Sequence, residues 1–392
     1  MSLRARFTEL QALLAEHEAL WRPSPFHVRR PAWRERWPAL AATVDRLDTA
    51  AVDALHQDPL ACRDVLREAL PILTEFDRLC DVAPLPERTL PPSDTHFDWA
   101  IPGRKRQQIE AFAAHAPRAQ APLLEWCAGK GHLGRRLAQA DRVPVSSLEI
   151  DAALCREAEK LSARAGVAQT ALCADALGAD VQLHPAGREV VALHACGELH
   201  RSLVRNATHA QARAYRIAPC CYHLGAEAGY RPLGRDAALA LTADTLRLAV
   251  TETVTAPRHA RRRLARDQAW KLGFVALRNA LEGETERPFR PVPASWLKAD
   301  FPAFCAALAE REGLRLPAQI DWEHWQASGE RRRGEVRRHE LVRHAFRRPL
   351  ELWLVLDLAL GLEEAGFDVR IGSFCDRALT PRNLLVLAQR HG

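Results

Sequence analysis

Leu123-Leu124-Glu125-Trp126-Cys127-Ala128-Gly129-Lys130-Gly131-His132-Leu133-Gly134 reads as a strand, a glycine turn and a helix start in direct succession. Gly129 and Gly131 let the backbone turn tightly and approach a ligand with no Cβ in the way, and the helix behind them offers unpaired N–H groups. Glu125 ends the strand, four and six residues before the glycines, with Cys127 and Ala128 in the turn between. No Gly-Lys-Ser/Thr follows, which excludes a P-loop. A second apolar run from Val143 ends in Leu148-Glu149-Ile150-Asp151, and Glu149 stands eighteen residues after Gly131. At that reach a carboxylate can accept from both hydroxyls of a ribose. A third run, Thr170 to Ala174, ends at Asp175, placed to accept from an adenine amino group. Taken singly, Glu149 and Asp175 are ordinary helix caps or solvated acids, and Glu125 reads equally as a buried carboxylate satisfied by the loop's own N–H groups. Their joint spacing favours a nucleoside cofactor.

These ends converge only if the strands lie side by side in an open α/β sheet, where ligands sit at the carboxyl ends near the point at which strand order reverses. Two further strands, Glu189–His194 and Ala214–Ala218, again end in polar chemistry. The spacing predicts four segments: a helical N-terminal region over 1–97, the first part of the core over 98–225, a helical and irregular insertion over 226–344, and a closing helix and strands over 345–392. Pro84, Pro86, Pro91 and Pro92 read as a linker, and Pro288, Pro291 and Pro293 crowd a loop of the insertion. Trp99-Ala100-Ile101-Pro102-Gly103-Arg104-Lys105-Arg106-Gln107-Gln108 is a basic turn leading into a helix, able to lie over a cofactor. Leu350–Leu362 is a long apolar helix, closed by Gly366 and followed by strands at Phe367–Ile371 and Asn383–Ala388.

With 392 residues, 47% hydrophobic and 27% charged, the chain reads as globular, and no apolar run reaches the roughly 18 residues of a membrane span. The N-terminus lacks the apolar core of a signal peptide, so the expected compartment is the cytoplasm, with no membrane partner. Ten cysteines then read as reduced thiols rather than a disulfide framework. The net charge of +6 is carried by arginine, since only five lysines are present. It is densest in Arg258-His259-Ala260-Arg261-Arg262-Arg263-Leu264-Ala265-Arg266 and in 331–338. Arginine takes phosphate bidentately, so a face bearing both runs could track RNA; the plain alternative is a pair of solvated helix faces. The oligomeric state is not legible.

Four motifs occur in order: Glu125-Trp126-Cys127-Ala128-Gly129-Lys130-Gly131-His132-Leu133-Gly134, His194-Ala195-Cys196-Gly197-Glu198-Leu199-His200, Pro219-Cys220-Cys221-Tyr222-His223 and Leu379-Thr380-Pro381-Arg382-Asn383. With the basic lead-in at 104–108, they resemble the class I methyltransferase domain of glutathione S-transferase C-terminal-domain-containing proteins and related methyltransferase-like proteins. More distantly, the glycine loop and the paired cysteines are similar to a eukaryotic tRNA 2′-O-methyltransferase. The resemblance covers about residues 98–225 and 345–392. It implies a Rossmann-like fold with a mixed seven-stranded sheet, an antiparallel strand near its edge, and S-adenosyl-L-methionine held by Glu125, Cys127, Ala128, Gly129, Gly131, Glu149, Asp175 and His194. It implies a substrate only loosely, with RNA, tRNA especially, ahead of a protein or small molecule. A non-catalytic RNA-binding module on the same fold is the reading from a different class.

Two departures matter. Cys127 replaces the usual first glycine of the loop, and the Asn/Asp-Pro-Pro-Tyr/Phe signature of amine methylation is absent after the fourth strand, which disfavours base N-methylation by that geometry. Methyl transfer from a sulfonium is in-line displacement, so catalysis is mostly positioning, with a base where the acceptor carries a proton. His194, His200 and His223 are candidates for that base, while Tyr222 orients the acceptor or packs. Cys196 and Cys221 complete the catalytic candidates His194, Tyr222 and His223. Cys220 after Pro219 suggests a nucleophilic thiolate on a pyrimidine ring; Cys196, Cys220, Cys221 and His223 suggest zinc, although adjacent cysteines are awkward for one tetrahedral site. Buried thiols under the site floor, with no metal, are the expectation.

Overall fold

Seven short apolar strands build one mixed sheet. The computed structural model describes residues 1–93, 101–251, 258–283, 289 and 291–390. Trp99 and Ala100 of the basic lead-in and Pro288 of the insertion lie outside the described residues. The strands are β1 Leu123–Trp126, β2 Val145–Glu149, β3 Gln169–Cys173, β4 Glu189–Cys196, β5 Ala214–Cys220, β6 Phe367–Ser373 and β7 Leu384–Arg390. Their order is β3-β2-β1-β4-β5-β7-β6. β1 to β5 are parallel, and β7 runs antiparallel between β5 and β6. The order reverses between β1 and β4, which sets the ends of β1, β2 and β4 around one crevice. This is the mixed seven-stranded α/β architecture expected from the sequence.

β1 and β5 are buried at every position, as strands covered on both faces must be. Buried Arg216 of β5 is paired with Glu189 of β4, so neither charge is left alone in the sheet. The helix Ala152–Ala165 starts on Asp151, whose carboxylate accepts from Ala153 N at 2.7 Å, and stops at left-handed Gly166. The closing helix runs from Arg347 to Glu364, longer than its apolar stretch, because Pro349 falls in its first turn, where no N–H is missed. Its Trp353 stacks on Phe7 of the helix Leu3–Glu16 at 5.3 Å.

The proline-rich stretch read as a linker is fastened to the sheet. Ser373 N donates to Ala83 O and Leu85 N to Ser373 O, along the free edge of β6. Prolines are tolerated there because an edge needs only half of its N–H groups. Arg88 then pairs with buried Asp141 at 2.5 Å.

The chain divides into two compact units. One comprises residues 1–16, 75–252 and 347–392; the other comprises 17–74 and 253–346. Residues 226–252, assigned from sequence to the insertion, thus lie with the sheet: buried Asp357 of the closing helix accepts from Tyr230 Oη at 2.6 Å and from Leu233 N and Gly234 N at 2.9 Å. The second unit is helical. Its helices Arg258–Glu282 and Trp322–His344 cross so closely that a Cβ on Gly329 would lie 2.3 Å from Ala269 O and 2.9 Å from Gly273 Cα. Among the described residues no helix is long and apolar enough to cross a membrane.

The crossing generates a stability prediction. Gly329→Ala must push two backbones apart, and overpacking of this kind costs about 1–3 kcal/mol. Urea denaturation followed through the tryptophans of the second unit should show a lowered midpoint; an unchanged midpoint would contradict the close crossing.

Candidate functional site

The glycine loop leaves β1 through three left-handed residues, Cys127 (φ 56°), Gly129 (φ 58°) and Gly131 (φ 64°). The two glycines are required for different reasons. A Cβ on Gly131 would strike Gln169 Nε2 at 2.6 Å, whereas a Cβ on Gly129 would meet nothing within 4 Å. Gly131 therefore packs against protein, and Gly129 faces open space where a ligand can approach the backbone. The helix His132–Asp141 begins at once behind them.

Beneath the loop lies a buried polar network. Glu125, 4% exposed, accepts from Ser147 Oγ of β2 at 2.7 Å and from the backbone of Gly134 in the first turn of that helix. Ser147 Oγ in turn accepts from Gln169 Nε2 of β3 at 2.7 Å, and the same amide donates to Gly131 O at 2.8 Å. Gln169 Oε1 accepts from Ser162 Oγ at 2.6 Å. Burial raises the Glu125 carboxyl to about 7, against the pull of Ser147, Gly134 and the Lys105 and Arg135 charges. Of the two readings open for Glu125, the geometry is that of the buried structural carboxylate, which shapes the loop from below. Ser147, Gln169 and Ser162 carry no motif signal.

Glu149 grips the loop from the other side. Its Oε2 accepts from Gly129 N at 2.8 Å, and its Oε1 accepts from Ile150 N and Asp151 N, both at 3.0 Å. Asp175 is exposed, with Oδ1 accepting from Leu177 N at 2.9 Å in its own turn. Ala128 is buried and donates its N–H to Leu148 O. Half-buried Cys127 stands among these groups: burial pushes its thiol up to about 12, and the charges of Glu149, Cys196, Asp175 and Glu125 add to that. The candidate cofactor residues of β1, β2 and β3 are thus gathered around one loop, joined by Cys196 from β4.

The rim at the ends of β4 and β5 is built by two backbone irregularities. The β4–β5 register shifts between Leu193 and Cys196, and His194 at this bulge has φ 70°. Exposed yet crowded by protein, His194 has its imidazole pKa lowered by that desolvation and by the positive charges of Lys105 and Arg382, while Cys221 acts the other way. Gln108 of the helix Gly103–His115 donates its amide to Leu379 O at 3.3 Å, which turns its oxygen toward His194 Nε2, 2.8 Å away. Nε2 then carries the proton, and Nδ1 keeps its lone pair.

Past β5 the chain turns at Cys221 (φ 46°), and that turn is seated on Gly197, where a Cβ would lie 2.2 Å from Leu224 O. Buried Arg201 donates to Tyr222 O at 2.7 Å and Leu224 O at 2.8 Å, pinning the turn. Tyr222 is 2% exposed and packs edge-on against His200, so of its two readings the geometry is that of packing. His200 is buried with Nδ1 2.7 Å from Ala195 O, and burial lowers its pKa to about 4. It is a core histidine rather than a base. His223 is half-buried. Cys220 is buried with its thiol raised by hydrogen bonding to Cys196 and Cys221 and by burial, the reverse of an activated nucleophile. The thiol driven down is Cys221, through hydrogen bonds from Cys196 and Cys220.

The two arginine runs differ. Arg332 donates to Pro25 O at 2.6 Å, Arg338 to Leu47 O at 2.9 Å, and Arg337 pairs with Asp53, so the 331–338 run is largely spent tying its own helical unit together. In the 258–266 run, Arg262, Arg263 and Arg266 are exposed.

A seven-stranded sheet with a glycine loop after β1 and acids at the ends of β2 and β3 defines the class I methyltransferase architecture. Residues 104–228 match the Methyltransf_32 family, described as a methyltransferase domain. The chain therefore carries a methyltransferase domain, and the protein is a methyltransferase, with dependence on S-adenosylmethionine implied by the family. No curated protein matches the chain. Among solved structures, a possible exported protein from Bordetella parapertussis is similar at 13% identity, with 100% of this chain and 98% of that one covered and a TM-score of 0.31.

Buried Glu125 makes the loop sensitive to pH. The folded protein holds the Glu125 proton up to about 7, whereas the ordinary value is 4.5, so this group's stabilisation is complete below 4.5 and is lost as pH rises through 7. Glu125→Gln removes that dependence. Urea denaturation of both proteins across this range should show the variant gaining on the wild type as pH rises, with the difference levelling above 7; a constant difference would contradict the raised pKa.

Proposed function

We propose that this protein transfers a methyl group from S-adenosylmethionine to RNA, with tRNA the favoured acceptor. The observation carrying the cofactor reading is the pairing of open-faced Gly129 with Glu149. A left-handed glycine presents bare backbone to the crevice, and a carboxylate beside it keeps acceptor capacity for a ribose diol. Asp175 would meet the adenine from the exposed end of β3. When bound, S-adenosylmethionine supplies an electrophilic methyl on a positively charged sulfur.

The chain's own part is positioning and proton removal. His194 Nδ1 is the nitrogen we assign as base for an acceptor hydroxyl, because the Gln108 bond holds the proton on Nε2 and the lowered pKa keeps the ring neutral near pH 7. Cys196, Cys221 and His223 bound the acceptor side of the rim. The RNA reading is supported by exposed Arg262, Arg263 and Arg266 on one helix, where guanidinium groups can take phosphates bidentately.

Two outcomes test this function. Glu149→Ala should weaken S-adenosylmethionine binding by about 1.5–3 kcal/mol, the range for hydrogen bonds to a charged group, measured by calorimetry on folded protein; unchanged affinity would remove Glu149 from the cofactor site. Binding of tRNA should fall steeply with salt, and Arg262→Ala and Arg263→Ala should each lower the slope of log affinity against log salt by about one. No binding at low salt, or slopes identical to wild type, would return the acceptor to a protein or small molecule.

A further inference from the structure

We propose that Cys196, Cys220 and Cys221 form a zinc site at the carboxyl ends of β4 and β5. Their three Sγ atoms all lie within 4.8 Å of one another, the one such grouping of metal-ligating side chains among the described residues. Cys196 and Cys220 are register partners on neighbouring strands, with sulfurs 3.3 Å apart. A tetrahedron with Zn–S bonds of about 2.3 Å has edges of about 3.8 Å, so the three sulfurs need only small rotamer adjustments to share one ion.

Adjacent cysteines on a strand normally point to opposite faces. Here the strand ends at Cys220, and the left-handed turn at Cys221 brings the second sulfur round to the side of the first. The same turn is locked from outside by Gly197 and Arg201, so the sulfurs are held together by the fold. Three soft thiolates select a thiophilic cation such as zinc over magnesium or calcium. Coordination expels the remaining thiol protons to solvent and leaves a net charge of −1 on the three-sulfur set, beside which Arg382 provides the compensating positive charge. One coordination position remains. His223, two residues after Cys221 and close enough to bias its charge, has Nδ1 buried without a hydrogen-bond partner.

The proposal does not depend on the acceptor, or on methyl transfer. The test is metal analysis of the full-length chain purified under reductant, followed by titration of metal-free protein with Zn2+ and with Co2+. We expect about one zinc per chain and, with Co2+, tetrahedral absorption bands and thiolate-to-cobalt charge transfer. Cys196→Ser and Cys221→Ser should each lower zinc affinity by more than the roughly 10–100-fold that loss of a supporting residue costs. Cys305→Ser, a buried thiol of the helical unit, should leave the metal in place. Reduced wild-type protein that carries no zinc and gives no cobalt–thiolate spectrum would overturn the site, whether or not the variants fold. Zinc retained at full affinity in folded Cys196→Ser or Cys221→Ser would also overturn it.

Discussion

The site rests on one buried carboxylate. Glu125 stands under the turn between β1 and its following helix, where burial disfavours its charged form and raises its pKa. It accepts from Ser147 of β2 and from the Gly134 backbone, while Gln169 from β3 links Ser147 to the carbonyl of Gly131. Three strands and a helix start are thereby joined through one hydrogen-bonded set. Two glycines follow from it: a Cβ on Gly134 would lie 2.5 Å from Glu125 Oε2, and one on Gly131 would displace Gln169. Gly129 alone is left to the ligand side. The loop is held in shape from below by Glu125 and from beside by Glu149, so little ordering remains for a cofactor to impose.

The opposite rim is made by breaking sheet regularity. A parallel strand carried on ideally would alternate its side chains and scatter His194, Cys196, Cys220 and Cys221 over two faces. The bulge at His194 and the left-handed turn at Cys221 defeat that alternation and gather imidazole and sulfur at one edge. Holding a β-strand end in such backbone demands outside support, and Gly197, Arg201 and Gln108 provide it. The methyltransferase domain thus pairs a glycine loop ordered from below and from the side with a rim rich in polarizable groups.

Much of this was legible in the residues. Acid-terminated apolar runs gave β1, β2 and β3, and the helix and paired strands after residue 345 gave the closing edge. Strand ends were less so: β4 and β5 each extend two residues beyond the ends read from sequence, His194 and Ala218, because Ala195-Cys196 before a glycine and the Pro-Cys pair do not look like strand. Ser147 and Gln169 were invisible, since a serine or glutamine inside a strand signals nothing until its partner is known. Gln108 sat in a run that reads simply as basic. The arginines at 331–338 misled in the other direction: their spacing looks like a solvated face, yet their guanidinium groups reach carbonyls and carboxylates of their own helical unit. The proline-rich stretch looked like a linker because pairing along a sheet edge leaves no periodic trace in sequence.

Amide hydrogen exchange across residues 123–152, with and without S-adenosylhomocysteine, tests most directly whether a pre-formed loop receives the cofactor. The account predicts that the amides of Gly131 and Arg135, bonded to Ala128 O and Gly131 O, are already slow in the free protein. It further predicts that ligand adds protection at Gly129, Ile150 and Asp151, around Glu149. Fast exchange throughout the loop in the free protein, or no change around Glu149 at saturating ligand, would contradict it.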